Sequence, residues 1–249
     1  MFVQQKKFLK LAEKDRILTI TIDNPPGNRL HREFFMELNT CRHLLASPDI
    51  DLIVFTGQGD TFSKGFDLNS ISDCTDPQSL KEVLIYSNDV FTFIESLNKP
   101  VIAAINGHCL GGGMELALVC HLRLCSEKAR LGLPELSVGI IPGLGGVHRL
   151  AILVGRAKAF EMIALGDVIS ASEALRINLV NRVLPKKDFM SGVLKIARTL
   201  LMVNQNRMRE VIQLLRDFTT NDEQENIKAA IAFAKNSQLK NVKLATLHP

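Results

Sequence analysis

Tryptophan is absent from this chain and tyrosine occurs once, yet 46% of the 249 residues are hydrophobic and 22% charged, the balance of an ordinary globular protein. No window of about 18 continuous apolar residues occurs, so no membrane-spanning helix is expected. The N-terminal stretch MFVQQKKFLKLAEKDR has no apolar core of signal-peptide length, and the terminal Leu-His-Pro is not a peroxisomal address. Disulfide and zinc frameworks are equally unexpected: the five cysteines, Cys41, Cys74, Cys109, Cys120 and Cys125, are odd in number and contain no C-x-x-C pair. They read as reduced thiols in a soluble, cytoplasmic protein. The net charge of +4 is spread along the chain without a basic run interleaved with aromatics, so charge does not indicate a nucleic-acid partner. Repeats and low-complexity segments are also lacking.

What is present is a strand–helix–strand rhythm. Residues 16–23 alternate as a half-buried strand, and Asn24-Pro25-Pro26-Gly27 ends it; helical spacing over 31–46 follows, broken by Ser47-Pro48-Asp49, and then a second strand at 51–56. In TFSKGFDL, residues 61–68, Gly65 permits a bend near the end of a strand, residues 69–80 read as a loop or lid, and 80–97 have helical periodicity. Buried and short strands are expected at 101–105, 121–126 and 129–133, with a proline- and glycine-rich loop at 134–146. Beyond it the pattern is helical at 147–154, 156–165, 171–177 with Ser170 as cap, 187–203, 205–218 and 222–235, with a short strand at 181–184. Such a chain reads as an α/β core over 1–190 with a helical C-terminal region over 191–249, suited to oligomer contacts or to a packed subdomain.

The stretch INGHCLGGGMELAL, residues 105–118, carries the strongest chemical signal. Three glycines, Gly111 to Gly113, let backbone approach a ligand, and Glu115 follows in the first helical turn, where unpaired N–H groups favour developing negative charge. Alone, a glycine triplet is more often a plain tight strand-to-helix turn than a site. A second carboxylate, Glu135, stands in the later loop, and paired carboxylates in different surroundings can divide acid and base work.

The strings FSKGFDL, KPVIAAINGHCLGGGMELAL and LGLPELSVGIIPGLGGVHRL resemble the crotonase (enoyl-CoA hydratase/isomerase) superfamily in order and separation. The resemblance implies a spiral of ββα units with a helical C-terminal region, a homotrimer or hexamer, and an acyl-CoA thioester substrate, with CoA as part of the substrate and neither metal nor other cofactor. By position it implies an oxyanion hole from the backbone N–H groups of Phe66 and Gly112, and Glu115 and Glu135 as catalytic residues of a hydratase. Ser63, Lys64, Gly65, Asp67, Leu68, Gly111, Pro134 and Gly143 would line the substrate groove. Isomerase, decarboxylase and hydrolase members share the same pocket, and an acyl-CoA- or RNA-binding protein on the same scaffold is the alternative of another class. Four residues depart from the family pattern: Arg29, His121, His148, and Asn178 where glycine is usual. Asparagine tolerates a left-handed backbone there.

Overall fold

The computed structural model describes residues 2–67 and 76–217. Leu68, most of the expected 69–80 loop and the expected helix at 222–235 lie outside the described residues. The chain begins with β1 (Phe2–Gln5), β2 (Leu9–Lys14) and β3 (Ile17–Ile22), followed by α1 (Arg32–Asn39), α2 (Arg42–Ala46), β4 (Leu52–Gly57), β5 (Thr61–Ser63) and α3 (Pro77–Glu95). Next come β6 (Val101–Ile105), β7 (His108–Leu110), α4 (Gly112–Leu118), β8 (Leu122–Ser126), β9 (Arg130–Gly132) and a 3-10 turn at Glu135–Val138. Helices α5 (Gly146–Val154) and α6 (Arg156–Leu165), β10 (Val168–Ser170), α7 (Ala171–Arg176), β11 (Arg182–Leu184), α8 (Phe189–Leu201) and α9 (Gln205–Asp217) complete it.

Two sheets result, a seven-stranded one in the order β1-β2-β3-β4-β6-β8-β11 and a four-stranded one in the order β10-β9-β7-β5. The pairs β4–β6, β6–β8, β5–β7 and β7–β9 are all parallel. Each successive pair, β4/β5, β6/β7 and β8/β9, therefore gives its first strand to the large sheet and its second to the small one before a helix returns the chain. This is the expected spiral of ββα units.

Strands β4 and β6 are buried along their whole length, as central parallel strands must be. Their alternating side chains feed two cores. Ile53, Phe55, Val101, Ala103 and Ile105 enter the main one, whereas Leu52, Val54, Ile102 and Ala104 pack on the other face with Phe189, Val193 and Ala197 of α8. Among the described residues no helix is long and apolar enough to cross a membrane.

The local departures from the expected elements have physical causes. The helix expected at 31–46 is two helices, because Thr40 Oγ1 and Cys41 Sγ both donate to the Glu37 carbonyl and tighten the chain there. Residues 2–14, for which no element was expected, form a hairpin whose outer strand β1 is exposed throughout and so carries no alternation to read. Helix α3 starts at Pro77, three residues before the expected start, since Asp76 Oδ1 accepts from the N–H groups of Gln78 (2.8 Å) and Ser79 (2.9 Å). Ser170 caps α7 as expected, and Asn178 has a positive φ of 61°.

The short helix α4 is buried along its whole length and is pressed onto β5. A Cβ on Gly113 would stand 2.6 Å from Ser63 Cβ and 2.7 Å from the Ser63 carbonyl oxygen. The replacement Gly113→Ala should therefore lower stability by about 1–3 kcal/mol, measured as a fall in the urea midpoint at unchanged m-value.

Candidate functional site

Three strands of the small sheet, β5, β7 and β9, lie side by side and parallel, so their C-terminal ends open at one edge. From those ends the chain leaves through Gly65–Phe66, Gly111–Gly112 and Pro134–Glu135 respectively. Equivalent positions of three successive repeats are thus delivered to one place, the side on which parallel sheets position ligands.

The first two bends place two backbone donors together. Gly65 has a φ of 93°, and a Cβ on it would stand 2.8 Å from the Leu110 carbonyl oxygen and 3.2 Å from the Gly112 nitrogen. A Cβ on Gly112 would lie 3.3 Å from the Phe66 nitrogen. Phe66 forms an isolated parallel bridge with Leu30: the Leu30 N–H donates to Gly65 O (2.9 Å) and the Asp67 N–H donates to Leu30 O (2.7 Å). Between these two bonds the Phe66 N–H points to the opposite side. Gly112 is the first residue of α4, so its N–H has no acceptor within the helix. Among the described residues neither N–H is taken by another backbone carbonyl.

Two carboxylates adjoin these donors. Glu115 is 2% exposed, and its Oε1 accepts from the N–H groups of Leu144 (2.7 Å) and Gly146 (2.9 Å). Burial raises its pKa to about 7, against the pull of those two hydrogen bonds and of the Arg149 charge. Glu135 opens the 3-10 turn, and its Oε1 lies 3.1 Å from where a Cβ on Gly111 would be. Although the residue as a whole is only partly buried, its Oε2 is enclosed and has no hydrogen-bond partner among the described residues. Desolvation first, and then the neighbouring Glu115 charge, raise its pKa well above the carboxylate range. One carboxylate is thus gripped by two amides of a neighbouring turn, whereas the other leaves one oxygen without a partner among the described residues.

The other residues singled out in the sequence surround this group in different ways. Ser63 is fully buried, and its Oγ accepts the Gly65 N–H (3.1 Å), so the side chain shapes the bend. Lys64 is exposed and lays its side chain over Gly27, with Cδ 3.0 Å from where a Cβ there would be. The Pro134 carbonyl caps the 3-10 turn through Ser137, and the Gly143 carbonyl accepts from Asn88 Nδ2 (2.9 Å). His121 is a structural histidine: its Nδ1 accepts the Val101 N–H (3.1 Å), and burial, followed by Arg216 and Arg123, lowers its pKa to about 4. The Arg29 carbonyl accepts from Asn24 Nδ2 (2.7 Å).

Sequence reasoning missed the amides of Leu144 and Gly146, because backbone donors leave no side-chain signature. The one available signal was the Gly145-Gly146 doublet at the start of a helix. A Cβ on Gly146 would stand 2.7 Å from Glu115 Cγ, so only glycine brings that amide to the carboxylate. Two cavities, of about 370 and 640 Å³, lie elsewhere, and Glu115, Glu135, Phe66 and Gly112 line neither. His121 and His148 both line the larger one. Among the described residues no cluster of three or more metal-ligating side chains occurs.

The model of the enoyl-CoA hydratase/isomerase family matches residues 12–244 of the chain. A probable enoyl-CoA hydratase of Bacillus subtilis is 40% identical over 174 residues, covering 70% of this chain and 67% of that protein. The fatty acid oxidation complex subunit alpha of Shewanella frigidimarina is 37% identical over 203 residues, covering 79% of this chain but only 29% of that subunit's length. Among solved structures, an enoyl-CoA hydratase/isomerase from Xanthobacter autotrophicus superposes with a TM-score of 0.85 at 27% identity, covering 94% of this chain and 88% of that one.

The electrostatics of the site can be measured without any substrate. The Glu115 pKa is raised, so the folded protein holds a proton there between about pH 4.5 and about pH 7 that the unfolded chain releases. Its contribution to stability is complete below the unfolded value and declines as pH rises through that window, by up to roughly 3 kcal/mol. Glu115→Gln should flatten the fall in denaturation midpoint between pH 5 and pH 8. It also removes the charge that raises Glu135, which acts in the same direction.

Proposed function

The chain belongs to the enoyl-CoA hydratase/isomerase family, and within that family we propose that it is a hydro-lyase that adds water reversibly and with syn stereochemistry to the double bond of a 2-enoyl-CoA thioester. The observation that carries this reading is the neighbouring pair Glu115 and Glu135, beside two backbone N–H groups that no backbone carbonyl takes among the described residues. An isomerase moving a double bond can shuttle its proton with one carboxylate. Hydration has to activate a water and also protonate a carbon.

In the proposed reaction the thioester oxygen sits between the Phe66 and Gly112 N–H groups. These donors are fixed before the substrate arrives, so little reorganisation opposes the charge that develops there, and each contributes roughly 3–4 kcal/mol. Glu115 ionises near neutral pH because two amides stabilise its anion, and it acts as base toward water. As Oε1 already accepts two hydrogen bonds, Oε2 is the oxygen that takes the proton. The hydroxide adds to the β-carbon, the π electrons move toward the thioester oxygen, and the resulting enolate takes a proton at the α-carbon from Glu135. Glu135 can supply it because burial, with Oε2 left unpartnered among the described residues, and the neighbouring Glu115 charge keep it neutral. After the step Glu115 holds a proton and Glu135 is an anion, and transfer of that proton between the adjacent carboxyl groups restores the starting state.

Ser63, Lys64, Gly65, Asp67, Gly111, Pro134 and Gly143 complete the reading as the surroundings of the CoA and acyl groups. Assembly into a homotrimer or hexamer fits the exposed apolar side chains of Phe160, Leu165 and Met202, which are 74%, 69% and 87% exposed. The buried, unbridged thiols of Cys109, Cys120 and Cys125 fit a reducing compartment such as the cytoplasm.

The test is hydration of crotonyl-CoA and longer 2-enoyl-CoA thioesters, followed by loss of the conjugated thioester absorbance. Glu115→Gln and Glu135→Gln should each lower kcat by about 10²–10⁴-fold with KM nearly unchanged. Wild-type protein inactive on every chain length, or both variants at full rate, would overturn the reading.

A further inference from the structure

The two amides that hold Glu115 belong to an irregular turn between the 3-10 turn and α5, and a turn of this kind keeps its peptide planes aimed only if something holds them. Its three consecutive carbonyls are each engaged. Gly143 O accepts from Asn88 Nδ2 (2.9 Å), Leu144 O from Arg149 Nη1 (2.9 Å) and Gly145 O from the Arg149 N–H (3.2 Å). The carbonyl of Gly143 and the N–H of Leu144 belong to one trans peptide unit, so they point in opposite directions from a rigid plane. Asn88 grips one end of that plane and Glu115 the other. The plane between Gly145 and Gly146 is held the same way, by the Arg149 N–H and by Glu115, and the Arg149 guanidinium fixes the plane between them.

Both gripping side chains are buried, each 5% exposed. Asn88 places its second donor on Leu84 O (3.0 Å), while its Oδ1 has no hydrogen-bond partner among the described residues. Leaving that oxygen unpaired costs stability, and the orientation that does so is the one that reaches Gly143. Arg149 is itself fixed by a two-pronged contact with Glu95, Nε to Oε1 (2.9 Å) and Nη2 to Oε2 (2.7 Å). Asn88 and Glu95 stand two helical turns apart on α3, so one face of that helix braces the whole turn.

We propose that Asn88 and Arg149 are positioning residues for Glu115, aligning the Leu144 and Gly146 amides so that the Glu115 carboxylate is held as an anion in a buried place. The proposal rests on the hydratase reading for its catalytic consequence, and on geometry alone for its effect on Glu115. A chain of donors running from Asn88 through the peptide to Oε1 also polarises that amide and strengthens its bond to the carboxylate.

The charged groups around Glu115 are Arg149 from α5, Glu95 behind it on α3, and Glu135 from the 3-10 turn. Arg149 favours the Glu115 anion, and so do the two amides. Removing either brace should therefore make Glu115 harder to ionise. For Asn88→Ala and Arg149→Met we expect the acid limb of kcat/KM to move to higher pH by roughly one unit, with kcat reduced about 10- to 100-fold and KM little changed. Arg149→Lys should recover part of the shift, because it restores charge and one donor without the fork.

Ser87→Ala is the control for simple loss of packing. Ser87 is equally buried on α3, but its Oγ donates to Val83 O (2.8 Å), away from the turn, so this variant should lose stability without any pH shift. Titration of the Glu115 carboxyl by 13C NMR in substrate-free protein separates the two claims. If the wild type does not hydrate enoyl thioesters yet the Glu115 titration moves upward in Asn88→Ala, the hydratase reading falls and the positioning stands. If Glu115 titrates unchanged in both Asn88→Ala and Arg149→Met, whichever of them folds, the positioning proposal is overturned.

Discussion

A carboxylate enclosed in the protein interior is held by two backbone amides, and the rest of the site follows from that constraint. Glu115 lies on a helix with every residue buried, where an ion without hydrogen bonds would be neutralised by desolvation. Two amides can converge on one oxygen only if the chain turns sharply without side chains in the way. Hence Gly145 with a φ of 84°, and Gly146, where a Cβ would stand 2.9 Å from Oε1 itself. The helix must also sit close to the small sheet, hence Gly113 against Ser63. The glycines around this centre are places where a methyl group would separate two parts that have to touch.

Repetition supplies the rest. Because β5, β7 and β9 are neighbours in one parallel sheet, the residues just past their ends come together even though Phe66, Gly112 and Glu135 are far apart in sequence. No single repeat contains a site. The first contributes an amide, the second an amide and a carboxylate, and the third a carboxylate. A spiral of ββα units is therefore more than a scaffold here, since its pitch sets the spacing between donors and acids.

How much of this was legible in the sequence differs from residue to residue. The central strands β4 and β6 were readable because burial on both faces leaves continuous apolar runs, and α3 because its spacing is helical. The hairpin of β1 and β2 was not: β1 is an exposed edge strand with no buried face, and in β2 the alternation is confined to Leu9 and Leu11. At the site, Glu115, the glycine triplet and the second carboxylate Glu135 stood out from the residues, and the resemblance to a family added the Phe66 amide and the roles. The turn at 143–146 and its braces were invisible for a plain reason. Asn88 on an apolar helix reads as an unremarkable polar position, and its meaning depends on a carbonyl 55 residues away. Contacts between a side chain and distant backbone carry no local pattern.

The two glutamates are neighbouring groups of one chemical type in unlike surroundings. Both are desolvated, and by that effect alone both would be neutral at pH 7. Each also disfavours ionisation of the other, so their protons leave as a pair in two separated steps. What breaks the symmetry is hydrogen bonding: Oε1 of Glu115 has two amide donors and the nearby Arg149 charge, whereas Oε2 of Glu135 has no partner among the described residues. The first proton therefore comes from Glu115, and the anion it leaves raises its neighbour further. In the proposed hydration a single ionisation thus prepares base and acid together. Burial without the turn at 143–146 would leave two neutral carboxyl groups, so in the proposed reaction it is the backbone of that turn, rather than either carboxyl group, that divides the labour.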